Sequence, residues 1–242
     1  DRQVMTNLSA DETRRYARHL VLKDIGGAGQ QRLKAARVLV VGAGGLGSPV
    51  IAYLVAAGVG TIGVVDDDVV GLSNLQRQII HRTQDEGVGK ARNATTFAVA
   101  LNPNVNVIPH AVRLDAGNAD ALVAGYDLIL DGTDNFETRS VVAEAAERAG
   151  LPLVSGAVSM WDGQVTVFMP GGKRFADLYP ETPDPDDLPS CEAVGVLGPV
   201  TGVIGTLMAM EAIKLITDSG APLAGRLLLY DGRAARFTEL QY

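Results

Sequence analysis

The sequence is poor in the groups by which many catalytic centres are recognised. Cysteine occurs once in 242 residues, at Cys191, and histidine three times. A single thiol excludes an intramolecular disulfide and offers no pair of thiolates for structural zinc. It also sets the expectation of a reducing, cytoplasmic compartment. His19, His81 and His110 are scattered, with no Ser or Cys to complete a triad, and His19 and His110 read as structural or solvated. Positive charge is in deficit, 21 basic against 28 acidic residues for a net charge of −7, which argues against a nucleic-acid partner. No apolar run reaches by inspection the roughly 20 residues of a membrane span, and no secretory signal is visible.

What is present is a chain 47% hydrophobic, enough to bury one sizeable core. Ser9-Ala-Asp-Glu12 reads as a capping box for a helix over Asp11–Leu20, and Gln30–Ala35 as a second short helix. Apolar strands then alternate with helices: strands at Arg37–Val41, Thr61–Asp66, Val105–Pro109, Asp127–Asp131 and Pro152–Ser155, helices at Leu46–Ala57, Lys90–Leu101, Ala116–Ala124 and Glu137–Ala149. This rhythm predicts an α/β fold, a Rossmann-like mostly parallel sheet with helices on both faces. After Gly156 the pattern changes. Gln164–Met169 alternates, and Asp231-Gly232 separates Arg226–Tyr230 from Ala235–Leu240 as a hairpin, so C-terminal antiparallel strands extend the sheet. An apolar helix is expected at Thr201–Ile216. Pro170–Pro189 holds five prolines and five acidic residues without any period, a long loop of the kind that often serves function.

The most informative stretch is Val38–Gly47. A buried strand enters Gly42-x-Gly44-Gly45-x-Gly47 and emerges as a helix, so backbone N–H groups and the helix dipole face a phosphate. The motif alone fits dinucleotide, flavin and ATP sites alike. Asp66, 19 residues after Gly47 at a strand end, suits a ribose hydroxyl or a plain acidic turn. In the polar segment Ser73-Asn74-Leu75-Gln76-Arg77-Gln78, Arg77 offers a planar fork of donors to phosphate oxygens and Asn74 can bond a sugar or phosphate. Gly87-Val-Gly-Lys90 is no P-loop, because Ala91 replaces its Ser or Thr and no strand precedes it. A Lys at a helix start nevertheless opposes the dipole, so Lys90 reads as a ligand contact or else as a surface lysine. Asp131-Gly-Thr-Asp134-Asn135 ends a strand where such sheets bind ligands. One of its carboxylates suits Mg²⁺, and Asp131 or Asp134 would cap the following helix.

Together, Arg15-Tyr16-x-Arg18, Gly42–Gly47, Asp66, Ser73–Gln78, Lys90, Thr133-Asp134-Asn135 and Gly195-x-x-Gly198-Pro199 resemble the MoeB/ThiF/HesA branch of the ubiquitin-activating-enzyme superfamily, over nearly the whole chain and in order. The resemblance implies a single E1-like adenylation domain spanning 1–242: an N-terminal helical arm at 1–36, an ATP-binding part at 37–156, and an antiparallel extension at 157–242 with a crossover loop at 170–190. It implies a homodimer that uses ATP and Mg²⁺ to adenylate the C-terminal Gly-Gly carboxylate of a small ubiquitin-like sulfur-carrier protein, with a cysteine desulfurase or rhodanese as sulfur donor. Molybdopterin, thiamine-thiazole and other sulfur-containing products remain alternatives.

Carried over residue by residue, Gly42, Gly44, Gly45 and Gly47 meet the phosphates and Asp66 the ribose. The segment from Ser73 through Asn74, Leu75, Gln76 and Arg77, with Lys90, binds the triphosphate. Asp134 and Asn135 complete the site, Asp134 holding Mg²⁺, and Arg18 reaches the other subunit's ATP. A carboxylate already ionised at neutral pH needs no general base, only alignment and charge stabilisation, so a triad is not expected.

Two departures stand out. Where relatives carry the first Cys-x-x-Cys pair of a zinc site, this chain reads Arg174-Phe-Ala-Asp177, so no zinc is expected. Arg174 with Asp177 could substitute an ion pair for one half of that site, worth only about 0–1 kcal/mol if exposed. Cys191 matches a cysteine that some relatives use covalently, and it stays open between that role and a small side chain at a loop end. The partner's tail is expected to pass under the Pro170–Pro189 loop toward Gly45 and Asp134. Two other functions remain: an NAD-dependent oxidoreductase, which leaves Arg77, Lys90 and Asp134 unused, and a nucleotide-binding scaffold without catalysis.

Overall fold

A computed structural model of the 242-residue chain describes residues 7–181 and 194–242. Eight strands form one sheet in the order β3-β2-β1-β4-β5-β6-β7-β8. They are β1 (Arg37–Val41), β2 (Thr61–Val65), β3 (Asn106–His110), β4 (Leu128–Asp131), β5 (Leu153–Ser159), β6 (Asp162–Phe168), β7 (Arg226–Asp231) and β8 (Arg236–Gln241). The first five pair in parallel and the last three antiparallel, as the change of pattern after Gly156 predicts. The sequence shortens β5, however. It continues to Ser159 and turns directly into β6 through Met160, whose φ is +50°.

Strand alternation divides the core. Val38 and Val40 of β1 and Leu128 and Leu130 of β4 face one apolar cluster, while Leu39, Val41 and Ile129 face another. The first cluster lies under α3 (Gly26–Ala35), α4 (Gly47–Ala57), α5 (Lys90–Leu101) and α9 (Gly198–Thr217); the second lies under α6 (Ala119–Val123), α7 (Phe136–Ala149) and α8 (Phe175–Leu178). The expected helix at the N-terminus is broken. The capping box of Ser9 and Glu12 starts α1 (Ala10–Arg15), but Tyr16 leaves helical geometry and α2 (Ala17–Leu20) follows. Tyr16 is buried, accepts a hydrogen bond from Asn102 Nδ2 at 2.8 Å and fills the space over Gly58, so tertiary packing overrides helix continuity.

α9 corrects the reading of apolar length. It has 20 residues, and an 18-residue stretch of it has a mean hydropathy of 1.5, long and apolar enough to cross a bilayer by those two measures. It packs instead against β5, β6, α3 and α4. Its buried Glu211 accepts from Leu223 N at 2.8 Å and pairs with Lys214. These contacts make it a core helix. Glycines in the strands set its approach: a Cβ on Gly163 would overlap Ile204 Cγ1, and one on Gly156 would overlap Met208 Sδ. Because β-branched Ile204 is stiff at χ1, Gly163→Ala should destabilise the fold by about 1–3 kcal/mol through overpacking. Urea melts should show a lower midpoint at unchanged m; an unchanged midpoint would mean that α9 is free to shift.

Candidate nucleotide site

The C-terminal ends of β1, β2 and β4 open into a cavity of about 1410 Å³. β1 lies between β2 and β4, so the chain leaves it in one direction and returns on its other side, the switch point where open α/β sheets place ligands. The glycine turn sits at this point. Gly42 has φ +95°, its N–H donates to Val65 O at 2.8 Å, and a Cβ there would stand 3.1 Å from Gly132 O. Gly47 lies beneath the turn, where a side chain would overlap Gly42 O, so this last glycine serves packing.

One residue, Ala43, anchors the turn through both of its backbone polar groups. Ala43 N–H donates to Asp66 Oδ2 at 2.8 Å, and His81 Nε2 meets Ala43 O at 2.9 Å. The second oxygen of Asp66 accepts from Asp68 N at 2.9 Å. Burial nevertheless pushes the Asp66 carboxyl above its ordinary value, against those backbone donors and Lys90. His81 was not foreseen as a site residue. Its Nδ1 faces Asn93 Nδ2 at 2.8 Å, so the ring is neutral with its proton on Nε2.

The sequence-derived site divides cleanly. Gly42, Gly44, Gly45, Asp66, Arg77, Lys90, Asp134 and Asn135 line the cavity, whereas Gly47, Ser73, Asn74, Leu75, Gln76 and Arg18 do not. Asn74 Oδ1 accepts from Gly71 N at 3.0 Å, and Ser73 O accepts from Arg77 Nη1 at 3.1 Å, so these residues shape the segment that presents Arg77. Gln76 is exposed, and its carbonyl lies where a Cβ on Gly198 would stand, which joins this segment to the start of α9.

Neither Asp131 nor Asp134 caps α7; Asn135 does, accepting from Thr138 N at 2.8 Å. Asp131 is fully buried, holds Thr133 N and Oγ1 at 3.0 and 2.7 Å, and pairs with Arg139 Nε at 3.4 Å. Asp134 is exposed and has no hydrogen-bond partner among the described residues. The surface-lysine alternative for Lys90 is overturned: Lys90 is 5% exposed and pairs with Asp68 at 2.9 Å.

Two observations indicate that the cavity is built for a ligand. Gln78, buried beside Gly44, leaves Oε1 as the one buried side-chain polar atom among the described residues without a hydrogen bond. The lining also mixes five cationic with seven acidic side chains, an arrangement poorly suited to an apolar guest.

Elsewhere, Arg15 donates to Leu101 O at 3.0 Å and Tyr16 docks on the core, leaving Arg18 exposed on the arm. His19 pairs with Gln30 and His110 with Tyr126, both at 2.9 Å, in keeping with structural roles. The Arg174–Asp177 pair forms at 3.5 Å. Cys191 and residues 182–190 of the loop lie outside the described residues; Tyr179, in the described part, lines the cavity and accepts from Gln164 Nε2.

Burial holds His81 below its ordinary 6.5. The unfolded chain therefore takes up this proton first as pH falls. The neutral ring contributes fully above about 6.5, and its contribution is lost as pH drops below that value toward the folded-state pKa. His110 is shifted the same way. His81→Asn should be less stable at pH 7, yet its urea midpoint should fall less between pH 7 and 5 than that of the parent. Equal slopes would contradict a neutral, buried His81.

Comparison with known proteins follows the same lines. The chain is 53% identical over 229 residues to the probable adenylyltransferase/sulfurtransferase MoeZ of Mycobacterium tuberculosis, covering 93% of this chain and 58% of that protein. It is 49% identical over 236 residues to the sulfur carrier protein adenylyltransferase of Thermus thermophilus, covering 95% and 87%. The fold matches a crystal structure of E. coli MccB with ATP at a TM-score of 0.83 and 21% identity, over 94% of this chain and 71% of that one. The ThiF family matches residues 16–242, and the chain belongs to that family.

Proposed function

We propose that the chain adenylates the C-terminal carboxylate of a small sulfur-carrier protein, with ATP as the second substrate and pyrophosphate as the product. The observation that carries this reading is the cavity itself: a glycine turn, Arg77, buried Lys90 and unpaired Asp134 meet at the strand ends, with Gln78 Oε1 unsatisfied among them. The name of the Thermus relative, of which the chain spans 87%, supports the substrate class. An oxidoreductase would leave Arg77, Lys90 and Asp134 idle.

The chemistry needed is alignment. The ionised carboxylate attacks the α-phosphorus in line with departing pyrophosphate, and the developing charge falls on phosphate oxygens. The glycine turn gives backbone N–H groups at the helix end, Arg77 a fork of donors, and Lys90 a fixed ammonium. Asp134 would hold Mg²⁺, which supplies charge neutralisation at the phosphates. The acidic lining makes added positive charge necessary. In this reading Arg18, exposed on the arm and outside its own cavity, enters a second copy's site. A homodimer is therefore part of the proposal, as are a cytoplasmic setting, a separate sulfur donor and the carrier's extended diglycine end, whose lack of side chains suits a narrow approach to Gly45.

Carrier-dependent exchange of labelled pyrophosphate into ATP should occur with the parent protein. Arg18→Ala and Asp134→Asn should each lower it by about 10²-fold or more, in line with removal of a transition-state contact. Because each mixed dimer keeps one intact site, refolding the two variants together should restore up to about a quarter of the parent rate. Exchange without carrier dependence would reject the substrate class, and absence of complementation would reject Arg18 acting across the dimer.

A further inference from the structure

Lys90 is held by a carboxylate that the reaction as described does not use. Its Nζ lies 2.9 Å from Asp68 Oδ2, with the lysine side chain 7% exposed and the aspartate side chain 70% exposed. The backbone fixes the same junction: Lys90 N–H donates to Asp68 O at 2.8 Å, and Val69 bridges Gly89. Asp66 and His81 are the other titratable groups coupled to Lys90, and Asp67 and Asp68 share its cavity wall. His81 is neutral, and both oxygens of Asp66 already accept backbone N–H groups, from Ala43 and Asp68. Asp68 is thus the principal counter-ion of the buried ammonium.

A buried cation without a partner is strongly unfavourable, so Lys90 needs an anion both when the site is filled and when it is empty. Resting on the nucleotide reading above, we propose that Asp68 is a positioning residue that exchanges with the ligand. Phosphate oxygens displace it from Lys90 when the triphosphate enters, and it recaptures the ammonium as pyrophosphate leaves. The asymmetry of exposure suits this exchange. The lysine is pinned inside the fold, whereas the carboxylate moves into water at little cost in solvation. No bond is made or broken; one ion pair replaces another, and the returning carboxylate lowers the affinity for pyrophosphate.

The proposal predicts a change of opposite sign to that of structural damage. Binding of inorganic pyrophosphate and of ATP should be measured by titration calorimetry on the folded parent, Asp68→Asn and Asp68→Glu. Asp68→Asn should bind both about fivefold more tightly, equivalent to an exposed charge pair near 1 kcal/mol. Adenosine affinity should be unchanged, and Asp68→Glu should return to parent values. In steady state Asp68→Asn should lower KM for ATP and kcat together, because pyrophosphate leaves slowly. Should Asp68→Asn melt early, Asp68→Ser supplies the same comparison. Unchanged or weaker pyrophosphate binding in the neutral variants, with the parent binding normally, would overturn the exchange. A parent protein that binds neither ATP nor pyrophosphate would overturn the nucleotide reading instead.

Discussion

The grip on the Ala43 backbone is the interaction on which the site depends. A turn made of glycines has no side chains with which to hold its own shape, and the conformational freedom that admits a phosphate also favours disorder. Asp66 takes the Ala43 N–H, and His81 takes its carbonyl. Asn93 of α5 orients His81, and α5 begins at Lys90. The glycine turn, the end of β2, the segment after Arg77 and the helix that carries the lysine are therefore one unit. A disturbance at His81 reaches the glycine turn through a single residue, Ala43.

Electrostatics give this unit its second constraint. The cavity lining has more acids than bases, although its proposed guest is a polyanion. The two most deeply buried cations are each held by an anion: Arg139 by buried Asp131, and Lys90 by Asp68. Such pairing keeps positive charge in place without a ligand and limits how tightly phosphate is retained, which suits the proposed release of pyrophosphate. The arm follows a related division of labour. Tyr16 and Arg15 secure it to the core through Asn102 and Leu101, and the exposed Arg18 side chain has no hydrogen bond or ion pair among the described residues.

Much of this was legible in the sequence because buried parallel strands read as continuous apolar runs and the glycine turn has fixed spacing. β1 and α5 were read to the residue. What failed depended on contacts distant in sequence. For Lys90 the ligand-contact reading could not displace the surface alternative on sequence alone, because its counter-ion lies 22 residues upstream. The break at Tyr16 came from packing on Gly58 and Asn102. Asn135 took the cap of α7 from adjacent Asp134, since both residue types cap well and only the backbone path decides. The β5–β6 turn has no Asn-Gly signature, because Met160 adopts its positive φ under tertiary constraint. His81 and Arg139 do not read as site residues because their partners lie on other elements, and Gln78, although it ends the Ser73–Gln78 motif, is given no role by sequence alone.

The central claim is that this cavity places a protein carboxylate in line with the α-phosphorus of ATP. The most direct measurement follows the oxygen. A sulfur-carrier protein whose terminal carboxylate is labelled with ¹⁸O should be incubated with the chain, ATP and an acceptor nucleophile, and the released AMP weighed. The account predicts AMP carrying one ¹⁸O atom drawn from the carboxylate, with unlabelled pyrophosphate. Unlabelled AMP, or ADP in place of AMP, would contradict it.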